Sequence, residues 1–493
     1  MSDLSQRISA NEVDFSAIRE AMANLSPVSN VAPNDPIEPH RVFMPDAHRA
    51  VLDLGRQLVV GNRGMGKSFW THALINPATR SKLAEAYGTP QLLKVFPILG
   101  YNASDAVSLS GPTPTRGAIT EAIRQGRDPK NIWRAVVLNS VRFLADGKST
   151  PNLDDTLSQL QANERAYEAE MSSLDEALSN KNAFALILFD ALDRLDDDNW
   201  DRIRELSRAL FQLALSIRSF RAIRLKIFIR PDQFAAKQQF SFSDSSKITN
   251  DVVDLRWTHE DLYRLLFFEL LQSASAASNL RALAKISDSE PALAMSGKRV
   301  AVSEAHIRTL VEKLAGEFMG SNRRRGFVYS WVPLHLSDAE QSCSPRAFLN
   351  AWRSAAMHSP APMLQVVDHH GLNEGVRSAS TLRLNELEED YPWIVHALDA
   401  LKGRRVPMSR EDFIEAWNTH RVIEKIRNSE QTQGRLAPIG NDERGDDPEA
   451  LIAVMKAIAV IEVRGNGKIN VPDIFRTAAG ILRTGGVAVP KRR

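Results

Sequence analysis

The chain has 493 residues, 43% of them hydrophobic and 25% charged, and its 62 basic and 60 acidic side chains leave a formal net charge of +2. This composition is ordinary for a globular protein and exerts no global pull on nucleic acid or membranes, so a nucleic-acid role must rest on a local patch. The single cysteine, Cys343, excludes an intramolecular disulfide and a cysteine-based zinc cluster. No apolar run of about 18 residues predicts a membrane span, and the polar N-terminus lacks a signal-peptide layout, so a cytoplasmic location is expected.

Length alone suggests roughly three domains. Residues 1–40 are polar and end in the proline-rich SPVSNVAPNDPIEPH, which predicts a flexible N-terminal arm. From 41 to 257 short apolar runs alternate with helical periods. The runs are QLVVG (57–61), LLKVFPIL (92–99), FALILFD (184–190), LKIFIR (225–230) and DVVDLRW (251–257). They lack apolar–polar alternation, which predicts strands buried on both faces in a parallel sheet covered by helices. NASDAVSLSGPTPTRG (102–117) and the acidic segment at 151–178 read as surface insertions. Residues 258–374 carry helical periods and are expected to form a helical lid. In 375–493 further helices precede IEVRGNGKINV, whose alternation around a glycine-containing turn predicts a hairpin. The expected fold class is thus α/β, a parallel-sheet core followed by helices and a C-terminal domain with a hairpin.

One stretch carries recognisable chemistry. Gly61-Asn62-Arg63-Gly64-Met65-Gly66-Lys67-Ser68 fits G-x-x-x-x-G-K-[S/T] and is followed by Phe69 and a helical period. Glycines let backbone N–H groups curl around phosphate oxygens, the lysine sets a charge on the outer phosphates, and the serine hydroxyl can ligate Mg²⁺. The nucleotide-binding residues are therefore expected to be 61–69, with Ser68 as a metal ligand. The alternative is a glycine-rich turn that matches by chance. A phosphate loop needs a second acid, and FALILFDALDRL supplies Asp190 at the end of a buried run, placed to hold Mg²⁺. Asp193 follows; it could orient or deprotonate the attacking water, or cap a helix. Asp196, Asp197 and Asp198 read as a solvated cap.

Arginines at three further places are candidates. Arg230 ends the run LKIFIR, where it could sense an outer phosphate or pair with Asp232. Arg218, Arg221 and Arg224 lie at the end of a helix; Arg221 could complete a neighbouring subunit's site, but a solvated basic helix end is the leading reading. Arg346 follows Pro345 in the first turn of an apolar-striped helix and could reach a nucleotide held between two domains.

Taken together, GNRGMGKS, LILFDALDRL, KIFIRPD and SPRAFL resemble the Walker A, Walker B, sensor-1 and sensor-2 segments of P-loop ATPases of the AAA+ and STAND type, including KAP-like, NACHT-like and Orc/Cdc6-like proteins. The resemblance covers about 41–360. It implies a P-loop NTPase core, a helical lid, a C-terminal winged-helix-like domain, ATP and Mg²⁺ as ligands, and Lys67, Asp193, Arg230, Arg346 and Arg221 as catalytic candidates. The Walker B segment departs from the usual Asp-Glu pair. Divergence of that kind occurs among bacterial conflict ATPases, so the resemblance implies a switch acting through protein effector or sensor subunits, as a homo-oligomer or hetero-complex, in antiphage defence. The competing expectation is a DNA-binding loader that uses the winged helix. Arg464 and Lys468 flank the hairpin tip, Arg476 lies just beyond, Lys491-Arg492-Arg493 end the chain, and Glu462 and Asp473 oppose them. A strong binder neutralises about six or more phosphates, so only weak or indirect nucleic-acid contact is expected there.

Overall fold

The five apolar runs become strands. In this computed structural model, which describes residues 13–26, 39–108, 111–147, 151–196, 200–284, 303–433 and 447–483, β1 (Leu58–Val60), β2 (Val95–Tyr101), β3 (Phe184–Phe189), β4 (Ile223–Ile229) and β5 (Val253–Asp254) form one sheet in the order β2-β3-β4-β1-β5. Every pairing is parallel. All of β1 is buried, as is all of β4 except Arg224. A strand covered on both faces has no polar side to alternate with, which is why its sequence reads as a continuous apolar run. Even Lys226 of β4 is fully buried; its Nζ donates to the carbonyls of Asp53 (3.0 Å) and Arg56 (2.7 Å).

The helices Pro129–Asp146 and Trp200–Ile217 cover the sheet, tied by the Trp133 indole donating to the Leu206 carbonyl at 2.8 Å. The acidic segment expected to be a surface insertion is instead part of this layer. It forms the helices Leu153–Ala162 and Glu164–Asn180, and Leu157, Leu160, Tyr167, Met171 and Leu178 are buried in the same core. Their three- and four-residue spacing is an inner stripe beneath the acids. Asp175 on this segment accepts the backbone N–H groups of Arg221 (3.0 Å) and Ala222 (2.7 Å), clamping the entry to β4.

The chain divides into two compact units, Val31–Arg256 with Glu430–Leu436, and Met1–Asn30 with Trp257–Ser429 and Ala437–Arg493. The second is helical. Part of the expected N-terminal arm belongs to it: Phe15–Ala23 is a helix capped by Asp14, with Ile18 and Met22 buried. Arg19 on this helix donates to the carbonyls of Pro362 (2.6 Å), Gln365 (2.8 Å) and Val366 (2.7 Å). The boundary expected at 374/375 falls inside the continuous helix His369–Asp390. That helix lies so close to Pro345–Met357 that a Cβ on Gly375 would sit 2.1 Å from the Ala351 carbonyl oxygen. The C-terminal hairpin is present, Glu462–Val463 pairing antiparallel with Ile469–Asn470, and Met408 bridges to Ile469. Among the described residues no helix is long and apolar enough to cross a membrane.

Candidate functional site

Because the strands are parallel, their carboxyl ends share one edge, and the register fixes what meets there. Val60 pairs with Ile229, so Gly61 is level with Arg230; Phe189 pairs with Ile227, so Asp190 follows one strand over. The order β3-β4-β1 therefore sets Arg230 between the phosphate loop and the acid, at the crevice where open α/β sheets hold ligands.

The loop's backbone suits an anion. Gly61 donates to the Ile229 carbonyl at 3.1 Å, continuing the sheet ladder by one residue. A Cβ there would meet Leu255 at 3.1 and 3.2 Å. Gly64 and Gly66 have φ of 81° and 104°, in the region that favours glycine. Gly66 opens the helix Lys67–Ile75 and provides no side-chain cap, leaving first-turn N–H groups for a ligand. Lys67 folds back over the loop, its Nζ donating to the carbonyls of Gly61 (2.7 Å) and Asn62 (3.2 Å). Ser68 is exposed in the first turn, Asn62, Arg63 and Phe69 are half-buried, and Met65 is buried beneath the loop.

Asp190 is 6% exposed, its N–H donating to the Tyr101 carbonyl (2.9 Å) and its Oδ1 accepting from Ala191 N–H (2.8 Å). Ala191 turns left-handed at φ 56°, so the chain swings into a 3-10 turn at Leu192–Arg194. Asp193 lies inside that turn and does not cap it; its carboxylate faces Arg230 at 3.4 Å. Arg230 is buried and also holds Asp232 through Nε and Nη2, each at 3.0 Å. The structure thus brings Asp193 and Arg230 together as an ion pair at the crevice, with Asp232 fixing the guanidinium. Only Oδ2 of Asp193 takes part in that pair. Asp196 pairs with Arg202 at 3.4 Å; Asp197 and Asp198 lie outside the described residues.

The other arginines are elsewhere. Arg221 and Arg224 stand at the entry to β4, at the sheet edge opposite the phosphate loop. Arg224 donates to the Phe220 and Ile223 carbonyls, both at 2.8 Å, and Arg218 faces Asp251 at 3.8 Å. Arg346 belongs to the helical unit, following Pro345 in a helix capped by the Ser344 hydroxyl. It pairs with the buried Glu386 at 2.6 Å, which Arg383 also holds at 3.1 Å.

Arg476, expected to support the hairpin's positive face, is 1% exposed. It is spent on Asp473 (2.5 Å) and the Ile481 carbonyl (3.1 Å), while Arg483 (3.0 Å) and His335 (3.3 Å) hold the same aspartate. Arg464 faces Glu462 at 3.8 Å, and Lys468 is exposed at the tip. Lys491-Arg492-Arg493 lie outside the described residues.

One contact behind the loop has no sequence signal. Trp70, three residues past Lys67 and 1% exposed, donates its indole N–H to Nδ1 of the buried His48 at 3.0 Å, and His48 Nε2 lies 3.0 Å from the Arg256 carbonyl. Nδ1 accepts, so Nε2 carries the proton and the ring is neutral. Burial lowers its pKa to about 4, against a smaller upward pull from the carbonyl.

A five-stranded parallel sheet with this loop between β1 and the following helix is a P-loop NTPase fold. Comparison with models of protein families finds no match, and neither does comparison with curated proteins. Among solved structures the chain is similar to Cdc6p from Pyrobaculum aerophilum (12% identity, TM-score 0.29, covering 94% of this chain and 95% of that one). It is also similar to a Walker-type ATPase of Pyrococcus abyssi (13%, TM-score 0.37, 93% and 100%). A third is the Orc2 protein of Aeropyrum pernix, in ADPNP–ADP complexes (10%, TM-score 0.30, 88% and 93%). At these TM-scores the likeness carries no functional weight; the site's own geometry does.

Proposed function

We propose that the chain binds and hydrolyses ATP with Mg²⁺ at the 61–69 loop, as a switch that controls assembly or activity of partner effector proteins. The observation that supports this most is the uncapped helix start behind Gly64 and Gly66, with Lys67 folded over the loop. The residues fit the ligand: loop N–H groups and Lys67 hold phosphate oxygens, and Ser68 and Asp190 hold the metal. Bound Mg²⁺ neutralises phosphate charge. Lys67 exchanges carbonyl partners for phosphate, and Arg230, one strand from the loop, can exchange Asp193 for an outer phosphate, which frees Asp193 to orient water. Turnover that waits on opening an ion pair is slow, which suits a switch.

Arg221 at the opposite edge and Arg346 in the helical unit are reserved for an oligomer and for lid closure, and the divergent acids support a bacterial defence role. A DNA loader working through the hairpin ranks second, because Arg476 is sequestered and Arg464 faces Glu462. The test is calorimetry with ATP and Mg²⁺. Lys67→Ala is expected to weaken binding at least about tenfold, on the order of 1.4 kcal/mol; equal affinity would sink the assignment.

A further inference from the structure

The helical unit carries a positive feature outside everything described so far. Phe318 and Phe327 form an antiparallel bridge, their rings 5.1 Å apart, and close a short loop. Met319 N–H donates to the Gly326 carbonyl at 2.9 Å and Val328 N–H to the Glu317 carbonyl at 3.0 Å, so the loop has a fixed base. Its tip is a 3-10 turn, Arg323–Arg325, in which Asn322 Oδ1 accepts the Arg324 N–H at 3.1 Å and Gly326 N–H returns to the Arg323 carbonyl at 3.1 Å. Gly320 and Gly326, at φ 136° and 97°, make the bends.

All three arginines are exposed, and none has an ion pair or side-chain hydrogen bond among the described residues. Elsewhere in the unit Arg264, Arg308, Arg346, Arg377 and Arg410 each face a carboxylate. At three residues per turn, consecutive side chains fan around the axis, so the guanidiniums point apart from a rigid base. The positive field reaches the start of the neighbouring helix. Burial, and then the charges of His370 and Arg325, lower the pKa of His369, although Asp368 pulls the other way. The loop's one acid, Glu317, sits at its base.

We propose that the Phe318–Phe327 loop is a nucleic-acid contact, its three arginines binding successive phosphates and Phe327 stacking on an unpaired base. Guanidinium planes match phosphate oxygens in bidentate geometry. Phe327 is 43% exposed beside them, and base–aromatic stacking favours single strands over duplex. An acidic protein surface would satisfy the arginines too, but it would leave the exposed ring at the loop's base without a partner. The contact needs no nucleotide at the phosphate loop, so it stands or falls apart from the ATP reading.

The test uses the full chain and fluorescence anisotropy with a labelled oligothymidylate of about 20 nucleotides and a duplex of equal length, over about 50–300 mM salt. Arg323→Glu/Arg324→Glu/Arg325→Glu is expected to weaken single-strand binding at least about tenfold and to make the log–log salt slope shallower by about 2, at ~0.7 per phosphate contact. The neutral triple glutamine variant should lose affinity to a lesser degree, with an unchanged melting temperature. Arg464→Glu/Lys468→Glu should bind as the parent does, and Phe327→Leu, which can still pack on Phe318, should lose the single-strand preference. Unchanged affinity and slope in the triple variants overturn the proposal. So does absence of oligonucleotide binding, and so does Arg323–Arg325-dependent capture of polyglutamate without oligonucleotide binding, which would make the loop a protein contact.

Discussion

Lowering the pH should loosen the phosphate-loop helix through His48. The ring is fully buried and neutral, with Nδ1 accepting the Trp70 indole N–H. A proton can enter only at Nδ1, where it would face that N–H head-on. The pKa of about 4 in the folded chain lies below the ordinary value of 6.5. Above about pH 6.5 neither state binds the proton and the full stability is present. Between about 6.5 and 4 the unfolded chain takes up a proton that the folded chain refuses, so stability falls as pH falls, and it levels off below 4. The gap amounts to on the order of 3 kcal/mol, at about 1.4 kcal/mol per pH unit. His48→Gln supplies a non-titrating group that can still accept from Trp70 and donate to Arg256. Amide exchange of the peptide covering 58–75, corrected for intrinsic rates and compared near pH 7.5 and 4.5, isolates the effect as the difference between wild type and variant. The parent should lose roughly 2–3 kcal/mol of opening free energy relative to His48→Gln across that range. Parallel pH dependence in the two proteins would refute the assignment of His48 as a buried neutral acceptor.

Two further outcomes follow from the ion pairs. Asp193→Asn should leave ATP affinity within about threefold, because the carboxylate faces Arg230 and not the loop, while single-turnover hydrolysis falls by about tenfold or more; parental turnover would leave Asp193 as no more than the partner of Arg230. Arg346→Ala removes one of the two cations on the buried Glu386, so the helical unit should melt at lower temperature, by several degrees for a loss of about 1–2 kcal/mol. Assayed below that melting point, slowed ATP turnover marks Arg346 as reaching the nucleotide, and normal turnover marks it as structural.

The sheet and the loop were legible because both are written in local sequence. Strands buried on two faces must be apolar throughout, and a phosphate loop must put glycine, lysine and serine at set spacings. What a charged side chain pairs with is not local. Arg230 could be seen beside Asp232, but Asp193, in the preceding strand's exit, joins it only once β3 and β4 align. Arg476 looked like surface charge near a hairpin; its burial depends on Asp473, three residues before it, and on His335, which belongs to a distant helix. Polar composition hid structure twice, in the helix Phe15–Ala23 and in the acidic segment, where apolar residues at helical spacing mattered more than the acids around them.

The helix Phe15–Ala23 also sets a clock on biosynthesis. Its Arg19 is held by Val366, 347 residues later. At about 5–20 residues per second, a ribosome needs roughly 20–70 s to deliver that anchor. A helix of nine residues is marginal alone in water, so the segment waits for its first main packing partner, the helix Ala274–Ala284, while residues 31–256 are made and have time to fold. The helical unit therefore closes last. A ribosome stalled beyond the core but short of Ala274 would expose the buried faces of Ile18 and Met22 to chaperones.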